Sequence, residues 1–432
     1  MSTRLRWARL VVAAALAAGL LLAPRLFLAT RVYPRVPVLD GWPLLSAPLD
    51  VAVLCALLAA LCGVALAPRP RWWAVAATVL ALILAADDQS RWQPWFYQYV
   101  TMLAALAVAR DVGDTLAAWR AVLVGLYLWS GIQKLNATFM THLFPWLMEP
   151  LAGVLPAGVQ RILLAGWMVV PVMEITVALG LLVPRLRNAA VVGAIATHLV
   201  VLGLLGPLAH GTNAVVWPWN AAMAALVALL FWNGGHASAR HVLVPRRLGA
   251  PAAALVLFGV LPALSFAGRW DAYLSGALYS GNLKVAALSV TDAVAARLPD
   301  AARRHVARNR MGANVLDVWE WSMGELAVPS YPEDRVFRAV ARDVCRLADD
   351  SADVVLVVFG RPVRSPASAR SPAATAPPSA GRERRMPLRG RFGVLTFPAR
   401  AGLYAGPRNA PKPLEGSSSW RQTPSAPVVS SV

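Results

Sequence analysis

The chain has 432 residues, 58% of them hydrophobic, with a formal net charge of +19 and a mean hydropathy of +0.54. An average soluble domain is about 45–50% apolar, and the surplus here is gathered into Ala/Leu/Val runs of helix-spanning length, so a lipid bilayer is the expected partner. The charge does not imply nucleic acid, because it sits in the segment after residue 364 and in short loops between apolar runs, where arginine sets topology; three cysteines build no disulfide framework.

In chain order the apolar runs predict nine transmembrane helices, at about 10–30, 49–67, 71–86, 94–110, 116–134, 160–183, 188–208, 213–232 and 249–267. The first has a basic start (Arg4, Arg6, Arg9) like a secretory signal but no convincing cleavage site, so it reads as a retained helix. With the N-terminus in the cytoplasm, twelve basic residues fall in inner loops and six in outer ones, the bias expected of an inner-membrane protein. An odd number of spans then places everything after residue 267 outside the cytoplasm. Between the fifth and sixth spans, FMTHLFPWLMEPL (139–151) is too short to cross and reads as an interfacial helix with Trp146 in the aromatic belt.

The expected fold is therefore an all-α polytopic membrane domain (1–267) carrying a small soluble α/β appendage (268–363). A helix at 331–348 and a strand at 354–360 mark the appendage. The Pro/Ala/Ser/Arg-rich segment 364–432 lacks periodicity and reads as a disordered tail.

Four polar patches fall at the outer face: DDQSRWQPWFYQY (87–99), YLWSGIQKLN (127–136), HGTNAVVWPWN (210–220) and GRWDAYLSGALYSGN (268–282). Lys134 is the most informative residue in them. Only Lys134, Lys284 and Lys412 are lysine among 41 basic residues, and Lys134 closes an apolar helix. Tyr127, Ser130 and Lys134 are spaced to share one helical face. Arginine cannot deprotonate in a protein, whereas lysine can. Lys134 is thus a candidate base, with a snorkelling anchor as the alternative. On the base reading, arginine or alanine at 134 removes activity and leaves stability near wild type.

Glu174 and His198 lie mid-span, where ionisable groups are functional candidates. The competing readings are a protonated acid bonded to a carbonyl freed by Pro171, and a neutral buried histidine. Asp87 and Asp88 read as an acid–base pair, as metal ligands with His142 or His210, or as ion-pair and capping partners near Arg91 and Pro94. The last is preferred, and no metal is expected. Trp217 and Asn220, with Trp219, read either as packing residues or as substrate contacts.

LYLWSGIQKLNATF, followed by an aromatic interfacial segment, a helix with Glu174, a PRLR turn and a helix with His198, resembles the HTTM and DoxX-like membrane proteins. That group includes the vitamin K-dependent gamma-carboxylases. The resemblance covers about residues 70–235 and implies a polar site at the extracytoplasmic face. It also implies that Lys134, after a Ser-Gly pair at a helix end, is the base that activates a quinol. A quinone or another lipid-soluble molecule would then be the substrate, and Lys134, Glu174 and His198 would be catalytic, with Asp87, Asp88, Arg91, Tyr127, Ser130, Trp217 and Asn220 around the substrate. A non-catalytic DoxX-like membrane partner is the alternative; a transporter is the third reading, although no internal repeat supports it.

Overall fold

A computed structural model describes residues 3–233, 239–245, 248–361 and 393–397. The chain is mostly helical, with a small sheet near the C-terminus. Among the described residues six helices are long and apolar enough to cross a membrane. They are α1 (Thr3–Leu22), α3 (Ala47–Leu66), α6 (Val112–Gln133), α10 (Arg187–Leu205) and two composite helices. One composite runs through α8 (Ala157–Ala165) and a tight turn into α9 (Val169–Leu182); the other opens with α13 (Ala250–Leu255) and reaches Ala267. Three further apolar helices are shorter: α4 (Arg71–Asp87, 17 residues), α5 (Pro94–Val108, 15) and α11 (Val216–Phe231, 16).

Every expected apolar run is helical, but some bounds move. The first helix ends at Leu22 rather than near 30, because Pro24 disfavours helix in the residue before it; a single turn, α2 (Pro24–Phe27), follows. The interfacial segment is one wide turn leading into α7 (Phe144–Ala152), and α12 (Ala239–Leu243) is a short link.

Four arginines of α1, α4 and α6 bond carbonyls at helix ends. Arg4 donates to the Trp232 carbonyl (2.9 Å), Arg9 to Ala67 (2.8 Å), Arg71 to Ala107 (2.9 Å) and Arg120 to Leu230 (3.0 Å). These oxygens lie in the last turn or just beyond α11, α3 and α5, where carbonyls lack helical partners and the helix dipole favours a cation. These bonds gather one end of the bundle.

The appendage covers the other end. Its sheet has the order β2-β3-β1-β4-β5, and β1 (Val285–Val290), β2 (Val306–Arg308), β3 (Asn314–Asp317) and β4 (Val354–Phe359) pair antiparallel with one another. The last strand, β5 (Gly393–Phe397), pairs parallel with β4. It lies within the segment read as a disordered tail; the rest of 364–432 lies outside the described residues. Pairing with β4 recruits GVLTF, a β-prone run isolated in a Pro/Ser/Arg-rich stretch. Helices α14 (Asp292–Arg297), α15 (Asp300–Arg303), α16 (Val318–Leu326) and α17 (Asp334–Cys345) complete the appendage.

The appendage is bonded to the bundle. Glu325 accepts from the Val32 and Tyr33 amides (2.5 and 3.0 Å), and Gln93 donates to the Pro329 carbonyl (3.2 Å). Arg335 reaches Gln89 (2.8 Å) and ion-pairs with Asp271.

Candidate functional site

At the appendage end of α6 the backbone is shaped by Gly131. A Cβ there would stand 2.7 Å from the Pro171 carbonyl and 2.7 Å from the Ile175 side chain. Only glycine lets α6 and α9 approach this closely, and the approach sets Lys134 against Glu174. Lys134 Nζ lies 2.8 Å from Glu174 Oε2, 3.1 Å from Oε1 and 2.6 Å from Ser130 Oγ. The three ammonium protons are thus used by Ser130 and the carboxylate, and Lys134 is only 6% exposed.

A second chain of bonds starts seven residues earlier on α6. Tyr127 Oη lies 2.6 Å from His198 Nε2, and His198 Nδ1 lies 2.8 Å from Asn220 Oδ1. The Asn220 amide nitrogen donates to the Val216 carbonyl at 2.7 Å. A carbonyl can only accept, so the Asn220 oxygen must face His198. His198 therefore carries its proton on Nδ1, and Nε2 accepts from the tyrosine.

Both chains border one cavity of about 320 Å³. Its remaining wall is largely apolar, built from residues such as Met148, Met173, Val201, Leu204, Trp219 and Met223. Tyr127, Ser130, Lys134, Glu174, His198 and Asn220, all chosen from the sequence, line it together. Val169, Met173 and Val200 line it too and are themselves exposed, so the cavity opens on the outer surface of α9 and α10.

Trp217 lies off the cavity wall. Its indole donates to the Leu205 and Thr212 carbonyls (2.9 and 3.3 Å) and ties the α10–α11 link. Trp219 takes the cavity position, with its indole held by Gln98 Oε1 at 2.7 Å.

Asp87, Asp88 and Arg91, all fully buried, also lie off the cavity wall, in an ionic cluster. Asp87 faces Arg91 at 3.1 Å and Arg35 at 3.4 Å; Asp88 pairs with Arg31 and caps the turn before Pro94 by accepting from Ser90 N at 3.0 Å. Arg91 also donates to the Leu26, Leu84 and Phe27 carbonyls. The cluster therefore fastens the 28–46 loop to the α4–α5 turn, and buried charges so paired are costly to break. Among the described residues no three His, Cys, Asp or Glu side chains are grouped to hold a metal.

Two motif residues escaped the sequence reading. Gln133 bonds Ser265 Oγ (2.9 Å) and Asn282 (2.6 Å), and Asn136 bonds the Ser280 carbonyl (2.8 Å). In SGIQKLN, Ser130 and Lys134 face the cavity while Gln133 and Asn136 pin the YLSGALYSGN block. Gly281 in that block has φ +73° and passes so close to Phe139 that a Cβ would meet its amide at 2.7 Å. No protein-family profile, curated protein sequence or solved structure matches this chain.

Proposed function

We propose that the chain is an inner-membrane enzyme that abstracts a proton from a lipid-soluble substrate, with the Lys134–Glu174 pair as its base. All nine apolar helices then cross the bilayer, with the N-terminus cytoplasmic and the appendage outside. The observation that carries this reading is an ammonium–carboxylate pair 2.8 Å apart on the wall of a largely apolar cavity that opens on the outer surface of α9 and α10.

The resting lysine is a satisfied ammonium, so its lone pair must be freed before it can act. Transfer of one proton from Nζ to the Glu174 carboxylate leaves a neutral amine and a neutral acid. An apolar substrate that expels water from the cavity favours this exchange, because separated charges lose their solvation there. The amine then takes the substrate proton, and the ammonium so formed balances the substrate anion. Tyr127, oriented by His198 and Asn220, offers its hydroxyl to the same cavity. A quinol suits this wall, with a ring and tail for the apolar surface and an acidic hydroxyl for the base.

The resemblance to the HTTM and DoxX-like proteins supports this reading through SGIQKLN. The competing reading, a non-catalytic membrane partner in which the pair clamps α6 to α9, is favoured by the complete bonding of the ammonium. Quinol turnover by the purified chain in lipid nanodiscs, compared with Lys134→Arg, separates them. Loss of turnover in a folded variant supports the enzyme; equal turnover, or none in either protein, overturns it.

A further inference from the structure

A second cavity, of about 230 Å³, lies where the appendage meets the bundle. Trp146 of α7, Tyr279 of the segment between Ala267 and β1, and Trp319 and Glu320 of α16 form its characteristic walls. The aromatic faces are already fixed. Trp146 stacks on His210 with centroids 4.2 Å apart, and Tyr279 lies nearly parallel to it at 6.2 Å. Tyr279 is held by a bond from Asn213 to its hydroxyl (2.9 Å). The start of α16 is fixed by Asp317, which accepts from the Trp319 and Glu320 amides at 2.9 and 3.1 Å.

Glu320 is the charged residue of this wall and is partly buried. Among the described residues no basic side chain pairs with it. Three cations of the appendage have other carboxylates as partners: Lys284 pairs with Asp334, Arg335 with Asp271 and Arg361 with Glu333. In a chain with a formal excess of nineteen positive charges, a carboxylate that faces a cavity and has no basic partner among the described residues is suited to a cation from outside. A hard metal ion does not suit it, since such ions take six or more oxygen ligands and this wall offers one carboxylate among rings. Aromatic faces attract alkylated ammonium ions through the ring quadrupole, and a carboxylate adds the counter-charge. Because Trp146 and Tyr279 are already positioned, little ordering cost opposes binding there.

We propose that this cavity binds an organic ammonium group against the side chains of Trp146, Trp319 and Tyr279, with Glu320 as its counter-ion. The site shares the Tyr279 wall with the first cavity but does not depend on the reaction proposed there. Two sources share the chemistry: the ammonium headgroup of a lipid at the membrane surface, and a free soluble amine.

The test is calorimetric titration of choline into the purified full chain in a nonionic detergent. Saturable binding is expected, weakened about tenfold or more by Glu320→Gln, which removes a charge-assisted contact, and weakened also by Trp319→Leu. The neutral isostere 3,3-dimethylbutanol should bind the unaltered protein about tenfold more weakly, a comparison that requires no variant to fold. Repeating the titration in nanodiscs assigns the source. Choline displaced by phosphatidylcholine but retained in phosphatidylglycerol identifies a lipid headgroup site; choline retained in both identifies a free-amine site. No saturable binding in detergent, or equal affinity for choline and its neutral isostere, overturns the proposal.

Discussion

Lys134 on α6 and Glu174 on α9 form an ion pair of 2.8 Å between helices whose backbones meet at Gly131. Removing one member leaves the other charge buried and alone, which costs about 3–5 kcal/mol. This changes the expectation for alanine at 134: Lys134→Ala should melt well below wild type. Lys134→Ala combined with Glu174→Ala should recover part of the loss, and neither should be active. Lys134→Arg keeps a cation for Glu174 but cannot release a proton, so it should stay folded and lose about 10²–10⁴-fold in rate. Melting curves in detergent, read beside turnover, check this. An arginine variant with full turnover makes the pair a clamp and not a base.

Gly131→Val tests the geometry beneath the pair. The new side chain meets the Pro171 carbonyl, with its first carbon already only 2.7 Å away. The helices must part, at a cost of about 1–3 kcal/mol, and Lys134 is drawn from Glu174. Turnover should fall in protein that still inserts. Gly158→Val is the control, because nothing lies within 4 Å of a Cβ at that glycine; it should match wild type.

Much of this site was legible because rare residue types stand out in apolar helices. Lys134, Glu174 and His198 were conspicuous in that way, and Tyr127 and Ser130 followed from their spacing against Lys134. The pairing of Lys134 with Glu174 was not legible, since forty residues separate them and only the Gly131 crossing joins them. Trp217 was chosen where Trp219 faces the cavity. Val216, Trp219, Asn220 and Met223 are spaced i, i+3, i+4, i+7, so the phase of α11 held that information once Asn220 was taken as the anchor. Four of the five strands in the sheet were missed, because they are three to six residues long and are defined by partners distant in sequence.

Tyr127→Phe removes the donor that satisfies His198 Nε2. An unpaired buried acceptor costs about 1–3 kcal/mol, so the variant should be less stable by that order and slower in turnover. Nitrogen NMR of labelled wild-type protein should find the His198 proton on Nδ1. A proton on Nε2 would contradict the orientation inferred from the Asn220–Val216 bond.

The topology is testable with reporters. Arginines bonded to carbonyls near one end of the bundle, and an appendage bonded to the other, predict that the two ends face different compartments. Alkaline phosphatase fused after residue 361 should be active, and the same enzyme fused in the 109–111 turn should be inactive. The reverse pattern inverts the protein in the membrane.

The last prediction concerns pH and the appendage. Burial raises the Asp317 carboxyl above its ordinary value of 3.8, against the lowering effect of the amides it caps; burial and the neighbouring Asp317 raise Glu320 above 4.5. A carboxyl whose folded value is raised binds its proton more tightly in the native state. Its contribution to stability is therefore present in full below the unfolded value and is lost as pH climbs through the folded one. The appendage should accordingly lose stability as pH rises from about 4 through the acid range, opposite to the usual effect of a salt-bridged carboxylate. Asp317→Asn removes the titration while retaining a good helix cap. Melting curves of the full chain from pH 4 to 7 should show the variant gaining on wild type as pH rises. A constant difference across that range would mean that Asp317 titrates alike in the folded and unfolded chain, and the burial argument would fail.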